Sequence, residues 1–278
     1  MPASLQPAVP ANILIVVDPA QDQHLALERT VVSIDMLGSP GVEPRPQLHV
    51  LVAVDMDNAD TSPRNERIFR NNEWLTEHIV EPLGRSGLKS SVIMSWSSDW
   101  YGSILKTMES VDAGIVILPL MQHPSGRERL FNESIWRLLR TSTRPVLITQ
   151  PGAKSKREKI LVAVNFQTHN EDYQRLNPLI IDRGQWMADM YGAELHIVNA
   201  YSDSLHHPDR SRLARESGVD RANIHTRVGD PEVVIADVAR EIDADIVVLG
   251  TRSRASRWRG NTSERIITRV ECDVLCIH

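Results

Sequence analysis

Ile13-Leu14-Ile15-Val16-Val17-Asp18 and Ile160-Leu161-Val162-Ala163-Val164-Asn165 are one apolar run closed by a short polar residue, written twice at an offset of 147 residues. Working outward, Leu48-His49-Val50-Leu51 returns at the same offset as Leu195-His196-Ile197-Val198. Asp112-Ala113-Gly114-Ile115-Val116-Ile117-Leu118 returns as Asp243-Ala244-Asp245-Ile246-Val247-Val248-Leu249 at an offset of 131. Pro145-Val146-Leu147-Ile148 returns as Asp273-Val274-Leu275-Cys276 at 128. The order is kept while the offset falls in two steps, so the second copy is shorter around residues 202–225 and again just after Leu249. Matched segments in fixed order with few gaps mark an internal repeat. The chain is two diverged copies of one unit.

Within each copy, short β-branched runs alternate with helical patterns. The pattern predicts strands at 12–17, 47–54, 90–95, 114–118 and 145–149 in copy one. In copy two it predicts them at 159–164, 194–200, 222–227, 245–249 and 273–277. Runs that are apolar throughout, such as Ile115-Val116-Ile117-Leu118, suit a parallel sheet buried on both faces. Asp230-Pro231-Glu232 places a capping carboxylate before a proline at a first helical turn. Such alternation implies right-handed crossovers. The expected fold class is therefore α/β: two tandem doubly wound units, each a five-stranded parallel sheet in the order 3-2-1-4-5 with helices on both faces. The polar stretch Gln150-Pro151-Gly152-Ala153-Lys154-Ser155-Lys156 carries a turn signal and divides the chain into domains 1–150 and 151–278.

The bulk numbers fit this reading. At 278 residues the chain has room for two compact domains, with 41% apolar and 24% charged residues. A net charge of -5 gives no basic footprint for nucleic acid. Met1–Pro10 has no charged leader or signal-length apolar run, and no stretch approaches the roughly 18 apolar residues of a membrane span. Cys272 and Cys276 are the two cysteines, four apart on a predicted strand. That spacing puts them on one face roughly 13 Å apart, beyond disulfide reach. They are expected to be reduced, packed thiols, which places the chain in the cytoplasm.

In a doubly wound sheet, ligands bind at the carboxyl ends of the strands where the strand order reverses, here between strands one and four. The copies differ at that point. Copy two runs from Leu249-Gly250-Thr251-Arg252-Ser253 through Arg254, Arg257 and Arg259 to Gly260-Asn261-Thr262-Ser263, with a helix starting near Asn261. Glycines let a backbone approach an anion closely, free amides at a helix start complete a phosphate cradle, and arginines add charge-assisted bonds. The same residues also fit a solvated basic loop with a glycine turn. Asn165 closes strand one beside this loop and suits a bond to a base or ribose, or a loop cap. Ala200, ending strand two, suits a flat floor for a ring, or core. Leu249, Gly250, Arg252, Ser253, Gly260, Asn261 and Thr262 complete the candidate ligand-binding set. In copy one the same position reads Leu118-Pro119-Leu120-Met121-Gln122-His123-Pro124. Proline removes an amide donor, and Asp18 would repel phosphate, so this pocket is expected to be filled or to take an apolar ligand.

Other candidates carry less. His206-His207-Pro208-Asp209 lacks the further ligands of a metal site. His49 and His196 recur at matching strand positions and read as structural. Trp136 and Trp186 fall on helical apolar faces and read as core. No nucleophile elbow, Walker loop or paired-carboxylate site is present, so no catalytic residue is assigned.

Val247-Val248-Leu249-Gly250-Thr251 followed by Gly260-Asn261-Thr262-Ser263-Glu264-Arg265 resembles the universal stress protein family, in its tandem two-domain form. Leu14-Ile15-Val16-Val17-Asp18-Pro19, Trp136-Arg137-Leu138-Leu139-Arg140 and Arg144-Pro145-Val146-Leu147 in copy one carry the same resemblance, which covers nearly the whole chain. It implies a five-stranded parallel sheet in each unit. It also implies an intramolecular pseudo-dimer packed through the last strands, with further homodimerisation open. Nucleotide-binding members carry G-x2-G-x9-G-[ST] after strand four and an Asp ending strand one. Here Gly250 and Gly260 match, Ser253 replaces the second glycine, six residues stand where the motif has nine, and Asn261 replaces the final hydroxyl residue, with Thr262 following. Asn165 replaces the Asp. A shorter loop takes a different path around a triphosphate. The resemblance thus implies a stress-response ligand-binding or regulatory module, with ATP or another anionic ligand in the second domain. A weak ATPase and a carrier of a lipid-like molecule are the alternatives.

Overall fold

The computed structural model describes residues 9–19, 21, 23–37, 45–54, 72–120, 126–167, 171–203, 207–251 and 262–278. They divide into two compact units, Val9–Pro151 and Gly152–His278. In the first, β1 (Asn12–Val17), β2 (Gln47–Val54), β3 (Ser90–Trp96), β4 (Ile115–Pro119) and β5 (Val146–Thr149) lie in the order β3-β2-β1-β4-β5. In the second, β6 (Lys159–Val164), β7 (Glu194–Tyr201), β8 (Ile224–Val228), β9 (Ile246–Gly250) and β10 (Asp273–Ile277) lie in the order β8-β7-β6-β9-β10. Counted within its unit, each sheet reads 3-2-1-4-5, and the strand pairs within each unit are parallel.

Burial explains why the apolar runs become these strands. Successive side chains of a strand point to opposite faces. Leu14, Ile15 and Val16 are all at 0% exposure, as are Ile160, Leu161 and Val162, so both faces of each sheet are covered. In the first unit the covering helices are α1 (Leu25–Leu37), α2, α3 (Trp100–Ser110) and α4 (Gly126–Thr141). α2 is helical over Asn72–Leu75, widens to a π turn over Thr76–Val80 and resumes over Glu81–Arg85. In the second unit they are α5 (Glu171–Tyr191), α6 (Arg210–Ser217), α7 (Pro231–Glu241) and α8 (Thr262–Ile267).

The repeat extends to local geometry. Asp112 and Asp243, matched in sequence, have φ of 45° and 55°. Ala113 and Ala244 then donate to the carbonyls of Met108 and Ala239 at 2.9 and 2.8 Å. This closes α3 and α7 in the same way, with aspartate in the left-handed position that glycine usually fills.

Some local expectations are corrected. β8 begins at Ile224 because the Asp220 carboxylate accepts the Ala222 N–H at 2.8 Å and winds Arg221–Asn223 into a 3-10 turn. Asp230 stands at the N-cap of α7, but its carboxylate makes no capping hydrogen bond; the Val233 N–H bonds to the Asp230 carbonyl instead, at 3.0 Å. Cys272 lies just before β10 rather than on it, and both thiols are buried and free. Burial pushes their pKa values up, that of Cys272 to about 12. Trp136 and Trp186 are half-buried rather than core, and the Arg183 guanidinium lies 5.1 Å from the Trp186 ring centroid.

His49 and His196 act as buried cross-strand links. His49 bonds Ser91 at 2.8 Å and Asn12 at 3.2 Å, and His196 Nδ1 lies 3.2 Å from His225 Nε2. Among the described residues no helix is long and apolar enough to cross a membrane, and no group of three His, Cys, Asp or Glu is placed to hold a metal ion.

Candidate binding site of the second unit

The site is built by strands of unequal length. β6 ends at Val164, paired with Asn199, while β7 runs on to Tyr201. The Tyr201 carbonyl faces β8 and accepts the Gly229 N–H at 2.9 Å. Adjacent carbonyls of a strand point to opposite sides. The Ala200 carbonyl therefore points past the end of β6, where no ladder partner follows. That gap is the crevice at which the strand order reverses.

Side-chain amides organise the crevice. Asn199, at 0% exposure, accepts the Phe166 N–H at 2.7 Å and donates to Gln167 Oε1 at 2.6 Å and to the Ala200 carbonyl at 3.0 Å. Gln167 Nε2 donates to the same carbonyl at 2.9 Å. From α5, Asn177 accepts the Asn165 N–H at 3.1 Å and donates to the Asn165 carbonyl at 2.9 Å. The backbone of residues 165–167 is thus clamped from both sides. Asn177 precedes Pro178, which lies inside α5 and cannot donate to the preceding turn.

Across the crevice, β9 ends at Gly250. A Cβ there would stand 2.9 Å from Ile180 Cδ1 and 3.3 Å from Leu176 Cδ1, so the absent side chain admits α5. The Ser263 hydroxyl reaches the Gly250 carbonyl at 3.4 Å. Thr251 donates its N–H to Ile277 at 2.7 Å, and its hydroxyl lies 2.8 Å from His278 Nδ1.

These elements enclose a cavity of about 500 Å³, within the range of roughly 300–1,000 Å³ typical of small-molecule sites. Asn165, Ala200, Leu249, Gly250 and Thr262 all line it. Arg252, Ser253, Gly260 and Asn261 lie outside the described residues. Sequence reasoning missed Gln167, Tyr173, Asn177, Ser202 and Asp230 in the lining. Two signals pointed to some of them: Asn177-Pro178 within a helical pattern, and Gly229-Asp230-Pro231, which reads only as a helix start. Gly229 has φ of 141°, a conformation suited to glycine. Among the described lining residues, Asp230 is the one carboxylate and none is Lys, Arg or His.

The matching place in the first unit is built differently. Asp18 is buried and accepts from Gln21 Nε2 at 3.3 Å, and Leu118, Pro119 and Leu120 are buried. The Leu120 N–H is taken by the Thr149 carbonyl at 2.9 Å. Met121–Ser125 lie outside the described residues.

Comparison with known proteins accords with this architecture. Residues 205–278 match the model of the universal stress protein family. Over 298 residues the chain is 26% identical to universal stress protein E of Escherichia coli strain K12, covering 96% of this chain and 93% of the relative. Among solved structures, a functionally unknown protein of Pseudomonas aeruginosa PAO1 aligns with a TM-score of 0.75 at 21% identity, covering 96% of this chain and 92% of that one. A putative universal stress protein of Pseudomonas aeruginosa UCBPP-PA14 aligns with a TM-score of 0.74 at 23% identity, covering 96% and 93%. At these identities the structural likeness concerns the fold.

Proposed function

We propose, for a chain that belongs to the universal stress protein family in its tandem two-domain form, that its stress-response role is exercised through a small ligand held in the second domain. Family membership supports the stress-response role itself. The finer reading is a ligand-binding or regulatory module at residues 151–278, taking ATP or another anionic small molecule. The domain at 1–150 is then a structural or differently liganded partner. Cytoplasmic residence is part of the proposal and accords with two free, buried thiols.

One observation carries the reading. Five residues drawn from four separate stretches of sequence, Asn165, Ala200, Leu249 with Gly250, and Thr262, line a single cavity of about 500 Å³ at the strand-order reversal. Asn165 contributes a neutral amide side chain to the lining. The chain leaving Thr251 carries Arg252, Arg254, Arg257 and Arg259, enough cation for a phosphate chain.

Equilibrium titration of the purified full chain with labelled ATP tests the proposal. Saturable binding at or below millimolar concentration is the expected result, and its absence rules ATP out. Mass spectrometry of co-purified small molecules then distinguishes another anion from a lipid-like cargo.

A further inference from the structure

The Ala200 carbonyl, one residue before the end of β7, is directed into the crevice past the end of β6. In a sheet such a group is an obligatory hydrogen-bonding site, and buried acceptors do not stay unpaired. A purine lying on Ala200 would meet it with an amino group at the ring edge. This chain fills the position itself. Gln167 Nε2 at 2.9 Å and Asn199 Nδ2 at 3.0 Å both donate to the carbonyl, taking both of its lone pairs. Gln167 Oε1 is itself held by Asn199 Nδ2 at 2.6 Å, so the amide is fixed in orientation. Asn199 is fully buried and also anchors the Phe166 N–H, so it cannot turn away. Gln167 lines the cavity.

We propose that Gln167 is a specificity-determining residue: its amide closes the Ala200 carbonyl to ligands, so the second domain binds purine nucleotides without reading a 6-amino group. The inference rests on the nucleotide reading above and deepens it. A ligand that used the carbonyl would first have to displace a bond already made, so the gain from its amino group is cancelled. Gln167→Ala frees one lone pair and turns the closed edge into a reading edge.

The test compares ATP with purine riboside triphosphate, which lacks the 6-amino group, on the full chain and on Gln167→Ala. The wild-type protein is expected to bind the two within about twofold, and the variant to prefer ATP by about tenfold, the worth of one hydrogen bond. A wild-type protein that already prefers ATP tenfold overturns the inference. So does a variant that binds both nucleotides equally, and in that case the nucleotide reading itself survives. If neither protein binds either nucleotide, the nucleotide reading falls and the inference falls with it. A second measurement needs no ligand. All four tyrosines are preceded by different residues, and only Tyr201 follows an alanine. Labelling alanine carbonyls with 13C and tyrosine nitrogens with 15N therefore isolates the Ala200 carbonyl. Its resonance is expected to move in Gln167→Ala, and an unmoved resonance overturns the closure.

Discussion

Arg157 carries a guanidinium charge to a place where only 2% of its side chain is exposed. It donates to the carbonyls of Asp245 at 2.8 Å and Lys154 at 3.1 Å, and to the Asp273 carboxylate, which is wholly buried. The Asp245 carboxylate accepts the N–H groups of Glu158 and Lys159 at 2.7 and 2.8 Å. One knot of charge thus joins the starts of β6, β9 and β10. Removing one partner of a buried pair leaves an uncompensated charge, which costs about 3–5 kcal/mol. Asp273→Ala is accordingly expected to lower the unfolding free energy by that amount in urea titration. Arg157→Met combined with Asp273→Leu should recover most of the loss, because two apolar groups leave no charge to satisfy. A loss under about 1 kcal/mol for Asp273→Ala would mean that water reaches the pair. Nothing in the sequence singled out Arg157. It sits in Lys154-Ser155-Lys156-Arg157-Glu158-Lys159, which reads as a solvated linker, and its partner lies 116 residues away.

At the scale of elements, the strands were legible because burial on both faces writes itself as uninterrupted β-branched residues, as in Ile115-Val116-Ile117-Leu118. Helix placement was harder, since contact depends on which residue is missing a side chain. Gly184 lies within α5, where glycine ordinarily costs helix stability. A Cβ there would stand 2.3 Å from Val162 Cγ2 and 3.3 Å from Leu195 Cδ1. Val162 is on β6 at 0% exposure and has no room to yield. Gly184→Ala is therefore expected to destabilise the protein by about 1–3 kcal/mol through overpacking. The sign is the test. In an exposed helix the same substitution stabilises by roughly 0.5–1 kcal/mol, so a rise in thermal midpoint would show that α5 does not rest on β6 through this residue. The seating of α5 also positions Asn177, the residue that clamps Asn165. A helix-to-sheet distance is thus set by glycines at 184 and 250, and the crevice inherits it.

At the scale of the whole molecule, the duplication could be read from segments repeated in fixed order, and the place of the crevice from strand order. Asn165, Ala200, Leu249 and Gly250 lie at or within one residue of the carboxyl ends of strands, and topology alone brings those ends together. Gln167, Asn177 and Asn199 could not be read, since their roles are hydrogen bonds spanning 12 to 33 residues with no periodic signature. Histidines scattered along the chain have one collective consequence that sequence alone also conceals. Burial holds the pKa values of His49 and His225 below the usual 6.5, with neighbouring Arg227 and Arg210 adding to the effect at His225 against Glu241, and burial lowers His278 to about 4. Each is favoured neutral in the folded state, while the unfolded chain takes up protons near 6.5. Their contribution to stability is therefore complete above about pH 6.5 and is lost as pH falls through that value towards the folded ones. Glu158, Glu194, Asp209, Glu241 and Asp243 are held low by hydrogen bonds to neighbouring groups, so their contribution is lost only below the usual carboxylate range, 3.8 to 4.5. The two windows separate. Urea midpoints are expected to stay level from pH 8 to 7 and to decline between pH 6.5 and 5, before the carboxylates begin to titrate. In His278→Gln the amide can still meet the Thr251 hydroxyl, and the decline should be shallower because one titrating group is gone. A midpoint that rises as pH falls from 6.5 to 5 would show that these histidines gain protons on folding, and would reverse the assignment of their neutral forms to the native state.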